Sequence, residues 1–161
     1  LAAHGIILSF EGVPAFYFNS LFGTSNDISK FIITDNKRDL NRYKWNNERL
    51  IKNLKINNSK QLVFYNEMTN LIKIRRKQKA FHPNAQRKNL NFGSKFYALE
   101  RISLDKSQKI LAITNLTSKT QVLKINSKYL KSKNLLGQKF KITFDKELVF
   151  NPFQTFWLSI N

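Results

Sequence analysis

Cysteine is absent from this 161-residue chain, which also holds only 5 glycines, 3 prolines and 2 histidines. Without cysteine there is no disulfide framework, so stability has to come from packing. His4 and His82 lie too far apart to form a local metal motif, and no metal or other cofactor is expected. No apolar run reaches the roughly 18 residues of a membrane span. No basic start followed by a small-residue cleavage site marks a signal peptide. A soluble, cytoplasmic piece without a membrane partner is therefore the expectation. The chain opens on Leu1, and its first ten residues, LAAHGIILSF, already read as a packed helix. That opening suggests a chain entered in mid-fold.

Acidic residues are scarce: 10 Asp and Glu stand against 28 Lys and Arg, a formal charge of +18. Such a balance commonly marks a partner rich in phosphates, so a basic nucleic-acid-binding module is one reading. The excess comes from 21 Lys against 7 Arg, spread along the whole length together with 19 Asn. Lys, Asn, Ile and Phe share A/T-rich codons, and genome composition is a sufficient cause. The densest basic run, Lys73, Arg75, Arg76, Lys77 and Lys79, shares a helical pattern with the apolar Tyr65, Met68, Leu71, Ile72 and Ile74. It is expected to be a solvated face, with no nucleic acid bound.

What is plentiful is apolar and aromatic: 42% hydrophobic residues and 14 Phe, enough to bury a core. The pattern changes near residue 80. Before it, residues 1–9 read as a helix end and Gly12-Val13-Pro14 as a break. Ala15-Phe16-Tyr17-Phe18 reads as a strand buried on both faces. A long polar loop follows to about Asn58, with a short helix around 47–54. Ser59 is a candidate N-cap for a long helix over 59–79, and Pro83 lies just beyond its end. After Ala85, segments 95–102, 109–116, 120–125, 139–144 and 155–160 are short, β-branched and aromatic, and separated by polar turns. They predict antiparallel strands in a small β-sandwich. In the last strand Phe156, Leu158 and Ile160 share one face and Trp157 takes the other. No Gly/Ser linker separates the two parts, which are expected to span 1–82 and 83–161.

A helix, a buried strand, a long loop and a covering helix together have the form of the last β/α unit of a (β/α)8 barrel, whose function sits in loops after the strands. Other α/β folds contain such a unit too.

Five segments carry a family resemblance. Gly12-Val13-Pro14-Ala15-Phe16-Tyr17-Phe18 resembles the eighth barrel strand of α-amylase superfamily enzymes. The stretches Asn19 to Asp27 and Asn36-Lys37-Arg38-Asp39-Leu40-Asn41-Arg42 are similar to the loop of the sucrose phosphorylase group, where an N-D pair precedes R-x-[IL]-N-R. Residues 74–83 resemble the end of that group's last barrel helix, and residues 151–158 the close of its C-terminal β domain. Lys37 stands where the group often has Gly, and Tyr43-Lys44-Trp45 departs from its usual sequence. Trp45 together with Phe22-Gly23-Thr24 is closer to the glucosylglycerate phosphorylase branch.

The resemblance implies a C-terminal fragment comprising the last β/α unit of a TIM barrel and a β-sandwich. The implied activity is retaining transfer of an α-glucosyl group to inorganic phosphate through two carboxyl groups, with a sugar and phosphate as partners. A homo-oligomer is left open. None of the acids present, Glu11, Asp27, Asp35, Asp39, Glu48, Glu67, Glu100, Asp105, Asp145 and Glu147, stands in a context like the family's nucleophile or acid. The fragment is expected to be inactive alone. Arg38 matches the arginine that holds the glucosyl unit at the donor subsite, a task suited to a guanidinium's fixed donors. Asn26, Asp27 and Arg42 match motif positions that shape the loop. Against this, Arg38 also reads as a surface residue paired with Asp35 or Asp39. His82 reads as a capping or packing residue and Tyr17 as core. The competing functional classes are an α-amylase-type hydrolase, the nucleic-acid module, and a non-catalytic sugar-binding β domain using Trp157, for which burial is the better expectation.

Overall fold

In the computed structural model, which describes residues 1–160, the strand-rich half forms two antiparallel sheets. The larger sheet contains β1 (Gln86–Leu90), β2 (Phe96–Ile102), β3 (Lys109–Asn115), β8 (Thr155–Ile160) and β5 (Lys133–Asn134), in that spatial order. The smaller has the order β4 (Gln121–Lys124), β7 (Glu147–Phe150) and β6 (Lys141–Ile142). Period-two alternation sends Phe96 and Ala98, Leu111 and Ile113, and Phe156 and Leu158 from the larger sheet toward Leu148 and Phe150 of β7. Ile125 and Tyr129 complete this core. Phe150 lies 5.1 Å from Phe96 and 4.9 Å from Phe156 between ring centroids. The predicted sandwich is present.

The other face of the larger sheet is also dry, which alternation alone does not require. It is covered by α1 (Ala2–Ile7) and a 3-10 turn (Lys79–Phe81). Trp157 is fully buried there, 4.8 Å from Phe81 in an edge-on arrangement, and pairs across the ladder with the small Ala112. A sugar platform on Trp157 is thereby excluded. α1 approaches closely because Gly5 has no side chain: a Cβ there would stand 3.1 Å from the Thr155 methyl.

Two guanidinium groups fasten this layer. Arg101 on β2 donates to the Ser9, His82 and Ala85 carbonyls at 2.8, 2.8 and 3.2 Å. Arg75 donates to the Leu8 and Gly12 carbonyls at 2.6 and 2.9 Å. Both lie within about 6 Å of the Phe81 ring centre. The expectation of a wholly solvated basic run is corrected at Arg75, which is buried while Lys73, Arg76, Lys77 and Lys79 stay exposed. The reason is local: the bend at 8–12 leaves carbonyls without sheet or helix partners, and guanidinium donors satisfy them.

The chain divides into two compact units, one made of Leu1–Pro14 with the chain from Leu71 onward, the other of Ala15–Asn70. The second unit holds α2 (Phe18–Leu21), α3 (Ile28–Thr34), a 3-10 turn (Lys37–Asn41), α4 (Asn47–Lys55) and the start of α5 (Lys60–Arg76). Ser59 caps α5 as expected, its Oγ accepting from the Leu62 N–H at 3.2 Å. The strand expected at 15–18 is not formed. Tyr17 is extended, Phe18 begins α2, and both are more than half exposed, which also corrects the core placement of Tyr17. Among the described residues no neighbouring strand supplies this segment with a ladder.

Candidate functional site

Asn26, Asp27, Arg38 and Arg42 all fall in the second unit, on the loop that connects α2 to α4. Asp27 caps α3, its carboxylate accepting from the Lys30 N–H at 3.0 Å, and its own N–H donates to the Leu40 carbonyl at 2.7 Å. This single backbone bond brings the two motif segments, 26–27 and 38–42, side by side. Asn19, buried at the start of α2, extends the brace: its Nδ2 donates to the Tyr43 carbonyl at 2.9 Å. A lone amide between Phe18 and Leu21-Phe22 was the sequence signal for this contact, and sequence reasoning missed it.

Arg38 lies on the 3-10 turn with its side chain exposed. The pairing with Asp39 proposed as its alternative role does not occur. Asp39 instead takes Lys30 Nζ at 2.8 Å and the Thr34 hydroxyl at 2.9 Å. These hydrogen bonds hold the Asp39 carboxyl below its ordinary range. Asp35 forms no ion pair among the described residues either. Asn36 fixes the turn by accepting from the Arg38 N–H at 3.1 Å. Asn26 and Arg42 are exposed.

Tyr43 and Trp45, two of the departures from the sucrose phosphorylase pattern, meet Thr24 in space, whereas Lys37 is exposed on the 3-10 turn. Trp45 Nε1 donates to Thr24 Oγ1 at 3.0 Å, and Tyr43 lies edge-on to Trp45 at 5.0 Å. Phe22 is buried and stacked on Tyr65 at 5.5 Å. Gly23 at φ +56 closes against Phe64, where a Cβ would come within 2.8 Å of the ring. Sequence grouped Trp45 with Phe22-Gly23-Thr24 by resemblance; the fold joins Trp45 to Thr24 by a hydrogen bond.

Half of the carboxyl groups are committed to structure. Asp27 and Asp39 shape the loop, Glu11 pairs with Arg87 at 3.0 Å, and Asp105 takes Lys79, Ser103 and Ser107. Glu100, buried in the sandwich, accepts from the Tyr129 hydroxyl and faces Lys109. No group of three His, Asp or Glu side chains among the described residues converges as a metal site would. Within the loop, Asp27 and Asp39 are engaged in these hydrogen bonds, while Arg38 is exposed.

No family model matches the chain. It is 27% identical over 161 residues to the glucosylglycerate phosphorylase of Escherichia coli (strain K12), covering 98% of this chain and 27% of that protein. It is 30% identical over 158 residues to the glucosylglycerate phosphorylase of Allomeiothermus silvanus, covering 98% and 26%. Among solved structures, the trehalulose synthase of Pseudomonas mesoacidophila superposes with a TM-score of 0.69 at 15% identity, over 99% of this chain and 38% of that one. The trehalose-6-phosphate hydrolase of Bacillus licheniformis gives 0.68 at 16%, over 98% and 38%. The chain spans about a quarter of the length of the curated relatives it matches. Over nearly all its residues the chain is similar in sequence to part of glucosylglycerate phosphorylases, and it shares its fold with part of the trehalulose synthase and trehalose-6-phosphate hydrolase structures.

Proposed function

We propose that this chain is the C-terminal part of a retaining α-glucoside phosphorylase, which moves a glucosyl group from glucosylglycerate or sucrose to inorganic phosphate and releases α-glucose 1-phosphate. The observation that carries this reading is the loop: Asp27 and Leu40 hold the two motif segments together, and Arg38 stands beside them with its guanidinium unclaimed by Asp39. In this reading the nucleophile and the acid lie upstream of Leu1. Residues 1–82 supply the last barrel unit, and residues 83–161 the sandwich. Arg38 holds the donor glucose through fixed N–H donors that stay charged. Asp27 keeps the loop in shape, with Asn26 and Arg42 at its edges. The leaving group meets the side of the loop shaped by the Trp45–Thr24 bond, which favours a glycerate over fructose, in line with the names of the relatives. A sugar and inorganic phosphate are the only partners required.

The test is glucose 1-phosphate release by the protein that carries this chain, with phosphate present and absent. The expected result is phosphate-dependent release, faster from glucosylglycerate than from sucrose, and silence from the 161 residues alone. Free glucose formed at the same rate without phosphate would replace this reading with an α-amylase-type hydrolase. Arg38→Ala should raise KM for the donor by about tenfold or more, the range for losing hydrogen bonds from a charged donor. Its thermal midpoint should not move, since the side chain is exposed. Unchanged donor kinetics would remove Arg38 from the site.

A further inference from the structure

The first unit contains a cleft of about 550 Å3 that the loop chemistry does not use. Its wall combines two unlike materials. Apolar surface comes from Val13 and Leu104, 83% and 62% exposed, and from the buried Phe81. Cationic groups come from the end of α5 and the turn after it, as Arg76, Lys77 and Lys79. The size is that of a small-molecule site.

The charge on this wall is one-sided. Asp105 is its single acid, and it is already bound by Lys79 Nζ at 2.8 Å and by the Ser103 and Ser107 hydroxyls, which hold its carboxyl well below the usual range. Arg76 and Lys77 make no ion pair among the described residues. Arg75, which lines the cleft, and Arg101 are both buried, with carbonyls rather than carboxylates as partners. Carbonyl dipoles satisfy their N–H groups without cancelling their charge. Burial first, and then the charge of Arg75, pull Arg101 down to about 10. A neutral apolar molecule would leave this field unanswered, and an inorganic anion would leave Val13 and Leu104 in water.

We propose that the cleft between the end of α5 and the segments carrying Val13 and Leu104 binds a small organic anion, with a carboxylate, sulfonate or phosphate ester at Arg76 and Lys77 and an apolar body against Val13, Leu104 and Phe81. The site is independent of the glucosyl reading, so either can fail without the other.

The probe is 8-anilinonaphthalene-1-sulfonate, with N-phenyl-1-naphthylamine as the same body without the anion. Binding is read as energy transfer from Trp157, which lies against Phe81, in a Trp45→Phe background that removes the other tryptophan. The sulfonate should bind at least roughly tenfold more tightly than the neutral amine, as two opposite charges at the rim allow. Arg76→Glu with Lys77→Glu should abolish that difference. Leu104→Ser should weaken both probes. Lys131→Glu with Lys133→Glu, an equal charge change on the sandwich, should leave binding intact. Equal affinity for the two probes would overturn the proposal, as would an equal loss in the sandwich variant. The exposed positions of Arg76, Lys77 and Leu104 keep the variants folded, and an unshifted thermal midpoint verifies this.

Discussion

The two units solve the problem of cohesion differently. The strand-rich unit buries Phe150, Phe156, Trp157 and Leu158 completely and covers both faces of its main sheet. The loop unit buries only Phe22, Leu50 and Met68 among its large apolar residues, leaves Ile28, Ile32 and Ile33 mostly exposed, and adds polar braces: Asn19 to Tyr43, Lys30 to Asp39, Trp45 to Thr24 and Lys60 to Ser25. Apolar burial is non-directional and gives stability, whereas hydrogen bonds net little energy but fix geometry. One unit is built to be stable and the other to hold a shape. Loops with binding work commonly follow the second pattern.

Truncating matched apolar side chains would break this contrast most sharply. Phe156→Ala removes a ring packed on Phe150 and should cost roughly 3–5 kcal/mol of unfolding free energy. Ile33→Ala, at a side chain 84% exposed, should change it by about 0.5 kcal/mol or less. Urea unfolding of both variants measures the difference. Comparable losses would mean that Ile33 is packed as firmly as Phe156, against its exposure.

Next in size is the arginine layer. Arg101→Leu would leave the carbonyls of Ser9, His82 and Ala85 without this donor while relieving the burial of a cation, a net loss of roughly 2–3 kcal/mol. Arg87→Leu breaks a partly exposed pair with Glu11 and should cost about 1 kcal/mol or less. If the two variants melt alike, the guanidinium contacts of Arg101 add nothing beyond ordinary surface pairing.

Much of the strand-rich unit was legible because its signals are local. β2, β3 and β8 announce themselves as short runs rich in β-branched and aromatic residues between polar turns, and β8 also alternates at period two. β1 was missed: Gln86-Arg87-Lys88-Asn89-Leu90 is an exposed edge strand whose polar sequence carries no alternation. β5 and β7 are too short to show a period. The burial of Arg75 was illegible for a different reason. Its partners are carbonyls more than 60 residues away, and carbonyls leave no mark in sequence. In the loop, residue types and order pointed to Arg38, Asp27 and Trp45, while their mutual positions depended on backbone bonds such as that from Asp27 to Leu40. The segment 15–18 shows the limit of pattern reading. Apolar residues specify burial only when a neighbour is there to cover them.

The smallest effect sharpens the contrast through pH. Tyr129, buried in the sandwich, donates its hydroxyl to Glu100, and burial followed by this carboxyl raises its pKa above the ordinary 10.0. A phenol raised on folding contributes stability that is complete below its unfolded value and drains as pH climbs from about 10 toward the folded value. The alkaline limb alone does not identify the phenol. Tyr129→Phe does. It should lower stability by about 1 kcal/mol at neutral pH, the net value of one hydrogen bond. Above pH 10 its stability should fall less steeply than that of the parent, so the two curves converge. Parallel curves from pH 8 to 11 would show that Tyr129 ionises no differently in the folded chain.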